Sequence, residues 1–336
     1  MSRRLAFAVL ALCVAIVAGC GGGGGDQNAV ERVPAKGGLR ERVRAAQSPQ
    51  ASAFPATGGK TLQQVADGVG AQGPDLALAS SVFTTGKDRL AFGIIDDQGQ
   101  FLYGPTAVYV AQSLDSPAQG PFVAPADVLF TEGRYRSKQA ATEQDPFSAV
   151  YAAQIPFDKP GKWSVLAVST IDGKKIASTG QIQVIKPSQD AIPEVGQSAP
   201  KVKTDTIADA KGNIGSIDTR EPPLPDMHEK SFDQLVGKQP VALLFATPQL
   251  CQSRVCGPVT DIAAQLQAKY GNRMAFIHQE VYKNNDPNLG LREPLTRFHL
   301  QTEPWLFVVN RSGKITARLE GSIGLKAFED AVKSGL

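Results

Sequence analysis

Cysteine is scarce in this chain, with 4 residues among 336, and so are histidine, with 3, and tryptophan, with 2. Charge of one sign is also lacking. The 35 basic residues face 32 acidic ones, a formal net charge of +3, which leaves no basic footprint for nucleic acid. Beyond the N-terminus no apolar run is long enough to cross a bilayer, which takes about 20 residues. The stretch Asn284-Asn285-Asp286-Pro287-Asn288 is rich in oxygen donors but lacks the spacing of a calcium loop. What is present is length enough for two domains with a substantial core, and abundant Gly (33) and Pro (23), which imply loops or linkers around the packed parts.

Arg3 and Arg4 precede an apolar stretch, residues 5–17, and a small-residue site, Val17-Ala18-Gly19-Cys20. Small residues at that point are what a signal peptidase requires. The tetrapeptide resembles the bacterial lipobox. The resemblance implies removal of residues 1–19, acylation of Cys20 and a chain held by its lipid at the extracytoplasmic face of the cell membrane. Cys13 then leaves with the signal peptide, and Cys251 and Cys256 remain as an isolated pair where a disulfide is permitted. Residues 20–74, rich in Gly, Ala, Gln, Ser and Pro, read as a flexible tether with a weak amphipathic hint over 62–69.

From residue 75 to 187 the pattern switches to short strands between turns: 76–83, 89–96, 107–112, 128–131, 149–155, 162–170 and 181–185. Asp97-Gln98-Gly99 and Asp172-Gly173 supply turn chemistry. About seven such strands predict an all-β sandwich of immunoglobulin-like architecture, with Trp163 in its core. Residues 188–230 read as a polar linker. From 231 to the C-terminus helical and strand patterns alternate: helix 231–236, strand 241–246, helix 259–270, strand 274–280, helix 294–300, strands 305–309 and 314–319, and helix 325–333. This order predicts an α/β domain with a mixed sheet covered by helices.

Cys251-Gln-Ser-Arg-Val-Cys256-Gly257-Pro258 falls between the first of these strands and its following helix. A thiol at a helix N-terminus is acidified by unpaired N–H groups and the helix dipole. Were both cysteines helical, their five-residue offset would point them about 140° apart. With Cys251 in the loop and Cys256 at the helix start, a disulfide is within reach, and Pro258 suits an early helical position. The order of elements, Cys256-Gly257-Pro258 and Thr302-Glu303-Pro304 resemble the thioredoxin fold, and Glu194–Pro200 resembles the opening segment of redoxin domains. Val259 stands where the second cysteine of the Cys-Gly-Pro-Cys motif would be. The resemblance implies a cis Pro304 beside the sulfurs and thiol–disulfide exchange on extracytoplasmic protein thiols or disulfides, with no cofactor beyond the redox-active pair. The helix start favours Cys256 as the attacking thiol, whereas distance from the strand end favours Cys251; the sequence leans to Cys256.

Three acidic or phenolic groups are smaller candidates. Glu280 and Tyr282 follow a strand whose C-terminal end opens on the cysteine edge, where the Glu280 carboxylate could take protons during exchange. Glu303 precedes Pro304. A copper-binding assembly factor of the Sco type is the alternative, with Cys251, Cys256 and His278 as ligands, since soft sulfur donors suit Cu(I). A lone strand histidine, however, is more often packed and hydrogen-bonded. A third reading is a non-catalytic envelope binding protein stapled by a structural disulfide.

Overall fold

The computed structural model describes residues 38–336, so the expected signal peptide, Cys13 and Cys20 lie outside the described residues. The first described elements, α1 (Leu39–Ala46) and α2 (Leu62–Asp67), fall in the stretch expected to be a tether. α2 starts where it does because Thr61 and Gln64 cap each other. The Gln64 N–H donates to Thr61 Oγ1 (3.2 Å), and the Thr61 N–H donates to Gln64 Oε1 (3.0 Å). Residues 38–74 are therefore not a free tether. Val43 and Ala46 enter the core of the β-rich region, while Phe54, Leu62 and Val65 cover the outer face of one of its sheets.

That region holds β1 (Leu76–Leu78), β2 (Phe83–Thr84), β3 (Gly86–Ile94), β4 (Thr106–Ala111), β5 (Gln119–Val123), β6 (Ala126–Val128), β7 (Ala149–Phe157), β8 (Gly161–Ile171) and β9 (Lys174–Ile185). They form a four-stranded sheet, β1-β3-β7-β6, and a five-stranded sheet, β2-β9-β8-β4-β5. All pairs are antiparallel except the short β2–β9 edge. Phe92, Tyr151, Phe157, Trp163, Val108 and Val110 fill the space between the sheets. Every residue of β4 is buried because the segment around α2 covers its second face. An apolar run, rather than alternation, results.

The C-terminal part contains α3 (Phe232–Leu235), β10 (Val241–Phe245), α4 (Cys256–Tyr270), β11 (Ala275–Gln279), α5 (Glu293–Arg297), β12 (Trp305–Val309), β13 (Ile315–Glu320) and α6 (Leu325–Ser334). The sheet order is β11-β10-β12-β13, with β10 parallel to β11 and antiparallel to β12, and β12 antiparallel to β13. A parallel pair joined by a crossover helix, followed by an antiparallel hairpin and a last helix, is the thioredoxin-like fold. The strand period of two sorts its side chains. Leu244, Leu306 and Val308 face α4 and α6, while Leu243, Phe245 and Phe307 face α3 and α5.

Residues 188–230 do not behave as a linker. Ile192, Val202 and Ile217 are buried, and so are the polar Asp218, Thr219 and Arg220. A polar, Pro-rich stretch reads as solvated only when its polar groups have no protein partners. Here they do. Arg220 pairs with Asp261 of α4 at 2.8 Å, both almost fully buried (4% and 1% exposed side chains).

Other contacts fix the two parts against one another. Asp127, in β6, accepts from the Lys326 and Ala327 N–H groups (2.9 and 2.8 Å) and so caps α6. Glu320 accepts from the Ser81 N–H (2.8 Å), the Ser81 hydroxyl (2.5 Å) and the Val82 N–H (3.1 Å). Gly321, at φ +73°, lies so near β1 that an added Cβ would stand 1.6 Å from the Ala79 carbonyl oxygen.

Candidate functional site

The site grows from the C-terminal end of β10. After Ala246 the chain leaves the sheet and turns, with the Cys251 N–H donating to the Thr247 carbonyl (3.1 Å) and the Arg254 N–H to the Cys251 carbonyl (3.2 Å). Arg254 takes a left-handed conformation, φ 59°. Cys256 is the first residue of α4, and Pro258 occupies its first turn, where a missing N–H costs nothing. The expected arrangement of one thiol in the loop and one at the helix start is thus observed.

Both cysteines are free thiols, and their surroundings differ sharply. Cys251 is 8% exposed and Cys256 is 0% exposed. The Cys256 side chain hydrogen-bonds to the Cys251 sulfur. That bond, with help from the Ser253 hydroxyl and the N–H groups of Cys256 and Val255, outweighs burial and brings the Cys251 thiol down to about 6. The Ser253 oxygen stands 3.2 Å from the Cys251 sulfur. Burial drives the Cys256 thiol well above its ordinary value, and the neighbouring Cys251 sulfur adds to that rise. The lean toward Cys256 as attacking thiol is therefore corrected. The Cys256 side chain first, then the Ser253 hydroxyl and the N–H groups of Cys256 and Val255, converge on the Cys251 sulfur, while the Cys256 sulfur is enclosed.

Gly257 explains itself by contact. An added Cβ would lie 2.5 Å from the Gln139 carbonyl oxygen, in the long loop between β6 and β7. That loop is pinned to α4 by Asp261, which accepts from the Ser137 N–H (3.0 Å) and hydroxyl (3.1 Å). The β-rich region thus packs directly against the helix that carries Cys256.

The Glu303–Pro304 peptide bond is cis, and the Pro304 carbonyl accepts from the Gly321 N–H (2.8 Å) at the start of β12. The carboxyl group beside the sulfurs is that of Glu303. Burial raises it, the Cys251 charge raises it further, and a hydrogen bond from Tyr282 opposes both. Tyr282 is likewise raised by burial and by the charges of Glu303 and both cysteines. Glu280 does something else, and its expected role in proton transfer is corrected. Its buried carboxylate accepts from the Thr219 N–H (2.8 Å) and hydroxyl (2.5 Å), and that hydroxyl in turn accepts from the Gln249 N–H (3.2 Å) in the cysteine loop. It holds the loop's underside in place.

His278 does not join the sulfurs. One ring nitrogen stands 2.9 Å from the Ala246 carbonyl, and the other faces Asp218 at 3.5 Å. The strand alternation of β11 turns it away from the thiol edge, so a Cys251, Cys256 and His278 copper set is not assembled. His228 and Asp218, which share its surroundings, were invisible as partners in the sequence. Asp218 lay in a stretch read as linker, and His228 follows Pro-rich residues that suggest a loop.

A cleft of about 580 Å³ opens beside the cysteine loop. Ala79, Phe83, Phe101 and Phe147 line it from the β-rich region, and Ser253, Val255, Thr302 and Glu303 from the thioredoxin-like part.

No protein-family model matches the chain, and no curated protein matches it. Several solved structures are similar to part of it, two of them as follows. One is described as a thiol:disulfide interchange protein DsbE from Chlorobium tepidum. The match has 15% identity, covers 43% of this chain and 98% of that one, and has a TM-score of 0.31. The other, a thioredoxin-like superfamily protein, has 10% identity, covers 32% of this chain and 85% of that one, and has a TM-score of 0.26. The fold assignment stands on the sheet order and registers above. Among the described residues no helix is long and apolar enough to cross a membrane.

Proposed function

We propose that this chain is a thiol–disulfide oxidoreductase acting on protein thiols or disulfides outside the cytoplasm, held at the membrane by a lipid on Cys20. The observation that carries the reading is the asymmetry of the pair, an acidified Cys251 that keeps 8% exposure against a fully enclosed Cys256 hydrogen-bonded to it. An inert staple has no need of such a difference. The strand orders β1-β3-β7-β6 and β2-β9-β8-β4-β5 support an immunoglobulin-like sandwich as the companion domain, which forms the other wall of the substrate cleft.

The chemistry follows from the geometry. The Cys251 thiolate attacks one sulfur of a substrate disulfide; that S–S bond breaks, a Cys251–substrate bond forms, and the other substrate sulfur leaves as a thiolate. The Cys256 thiol then gives up its proton and attacks Cys251 Sγ. The mixed disulfide breaks, the second substrate thiol departs, and the Cys251–Cys256 disulfide remains. Glu303, beside both sulfurs and linked to Tyr282, is the carboxyl group placed to move that proton. Run in reverse, the same steps oxidise a substrate dithiol.

Redox equilibration of the purified chain against glutathione, followed by alkylation and mass measurement, tests this. The expected result is the joint, reversible loss of two thiols, restored by dithiothreitol. A pair that resists reduction until below about −300 mV is a structural staple and contradicts the reading.

A further inference from the structure

Beneath the cysteine loop, the 218–228 segment and β11, distant in sequence, bring Asp218, His228 and His278 together. Their ligand atoms all lie within 4.8 Å of one another, and all three side chains are buried. We propose that Asp218, His228 and His278 are the ligands of a first-row divalent cation of the zinc class.

The argument begins with the outer ring nitrogens. His278 Nε2 lies 2.9 Å from the Ala246 carbonyl, and His228 Nδ1 lies 3.4 Å from the Asp205 carbonyl. A carbonyl only accepts, so each outer nitrogen carries the ring proton. In the neutral rings the inner nitrogens, His278 Nδ1 and His228 Nε2, are then bare lone pairs, and neither has a hydrogen-bond partner. Each faces one carboxylate oxygen of Asp218 at 3.5 Å. Two lone pairs and an anion pointing at each other in a dry interior repel, unless a positive charge sits among them.

Distance separates the two ways of supplying that charge. Protons on the inner nitrogens would make charge-assisted N–H···O bonds of about 2.7–2.9 Å, well under the observed 3.5 Å. Ligand atoms on a tetrahedral ion with bonds of about 2.1 Å stand about 3.4 Å apart. Each nitrogen-to-oxygen distance, to a different Asp218 oxygen, is longer than such a hydrogen bond. One ligand atom from each residue lies within 4.8 Å of the others, close enough for small adjustments to gather them on one ion. The surroundings are also those of a metal centre. Each histidine's other nitrogen is held by a backbone carbonyl, which fixes the tautomer. The Asp218 oxygens each accept one backbone N–H, from Arg220 (2.9 Å) and Leu224 (2.7 Å), which orients the carboxylate and leaves lone pairs free. Two imidazoles and a carboxylate suit zinc and similar borderline ions, and without sulfur they do not suit Cu(I).

Such an ion would tie residues 218–228 to β11 and, through His278, to Ala246, from which the cysteine loop departs. A metal staple leaves both thiols free for exchange. The inference is independent of the redox reading, since it uses neither cysteine.

Zinc alone is the probe. The full chain is stripped with a chelator and titrated with zinc, with stoichiometry read by elemental analysis and stability by thermal unfolding. The expected result is one zinc per chain, with a melting temperature that falls on chelation and recovers on adding zinc. His228→Asn and His278→Gln each weaken binding by more than the roughly 10–100-fold that losing an outer-shell partner costs. A Cys251→Ser/Cys256→Ser variant keeps it. Cobalt-loaded wild-type chain gives ligand-field bands without thiolate charge transfer, a readout that stands even where the histidine variants fail to fold. Absence of stoichiometric zinc, an unfolding midpoint indifferent to it, a thiolate–cobalt band, or loss of binding in the cysteine variant would each overturn the site.

Discussion

Replacing Cys251 by serine abolishes exchange with a protein disulfide, by at least about 10³-fold, because the more acidic and less deeply buried thiol of the described pair is gone. Cys256→Ser behaves differently. The first attack survives, but nothing breaks the mixed disulfide, so substrate accumulates covalently on Cys251. The pair of outcomes is asymmetric because the two thiols are. Cys256 is enclosed by α4, by the Gln139 segment against Gly257, and by the Thr247 N–H that reaches its sulfur. Non-reducing electrophoresis and mass analysis of trapped species distinguish the two variants. Trapping through Cys256 in a Cys251→Ser chain, with none through Cys251 in the converse chain, would reverse the assignment.

Arg220→Ala is the second large effect, this time on stability. Arg220 donates to Asp261 (2.8 Å), to the Tyr135 carbonyl (2.6 Å) and to the Pro222 carbonyl, joining residues 188–230, α4 and the loop between β6 and β7. Its removal strands the buried Asp261 carboxylate, and breaking such a pair costs about 3–5 kcal/mol. Denaturant unfolding should show a loss of that size. Replacing both partners, as in Arg220→Met with Asp261→Leu, should recover much of it, because no buried charge is then left alone. A loss under about 1 kcal/mol for Arg220→Ala would mean that residues 188–230 are a linker after all.

How far the sequence reveals this molecule depends on whether a residue's neighbours are local. β12 at Trp305–Val309 and β10 at Val241–Phe245 are legible because both are apolar runs bounded by turn residues. α4 begins at Cys256 rather than at 259, since Gly257 and Pro258 read as a turn until the first helical turn is known to need no N–H there. β5 escapes notice because Gly120 and Pro121 break its pattern. Residues 38–74 and 188–230 look solvated because the partners that bury Leu62, Asp218 and Arg220 lie in other parts of the chain.

The site shows the same division. Cys251, Cys256 and Pro304 are found by motif and order of elements. Which thiol is acidic is not, because that depends on which sulfur receives the hydrogen bonds of the other cysteine, Ser253 and the first helical N–H groups, and no spacing rule supplies that. Glu280 and Glu303 are both carboxylates near strand ends. Only the position of Thr219 shows that the first is consumed by a structural hydrogen bond while the second faces the sulfurs.

The proposed exchange chemistry requires Cys251 to be a thiolate at neutral pH and Cys256 not to be. Alkylation of the reduced chain with iodoacetamide across pH 4–10, with each cysteine resolved by peptide mass, measures this directly. Cys251 falls from the ordinary value of 9.0 to about 6, so its reactivity should rise through a midpoint near pH 6 and level off above it. Cys256 should stay unmodified throughout that range and react only after unfolding. A Cys251 midpoint near 9, or Cys256 reacting first, would rule out Cys251 as the attacking thiol.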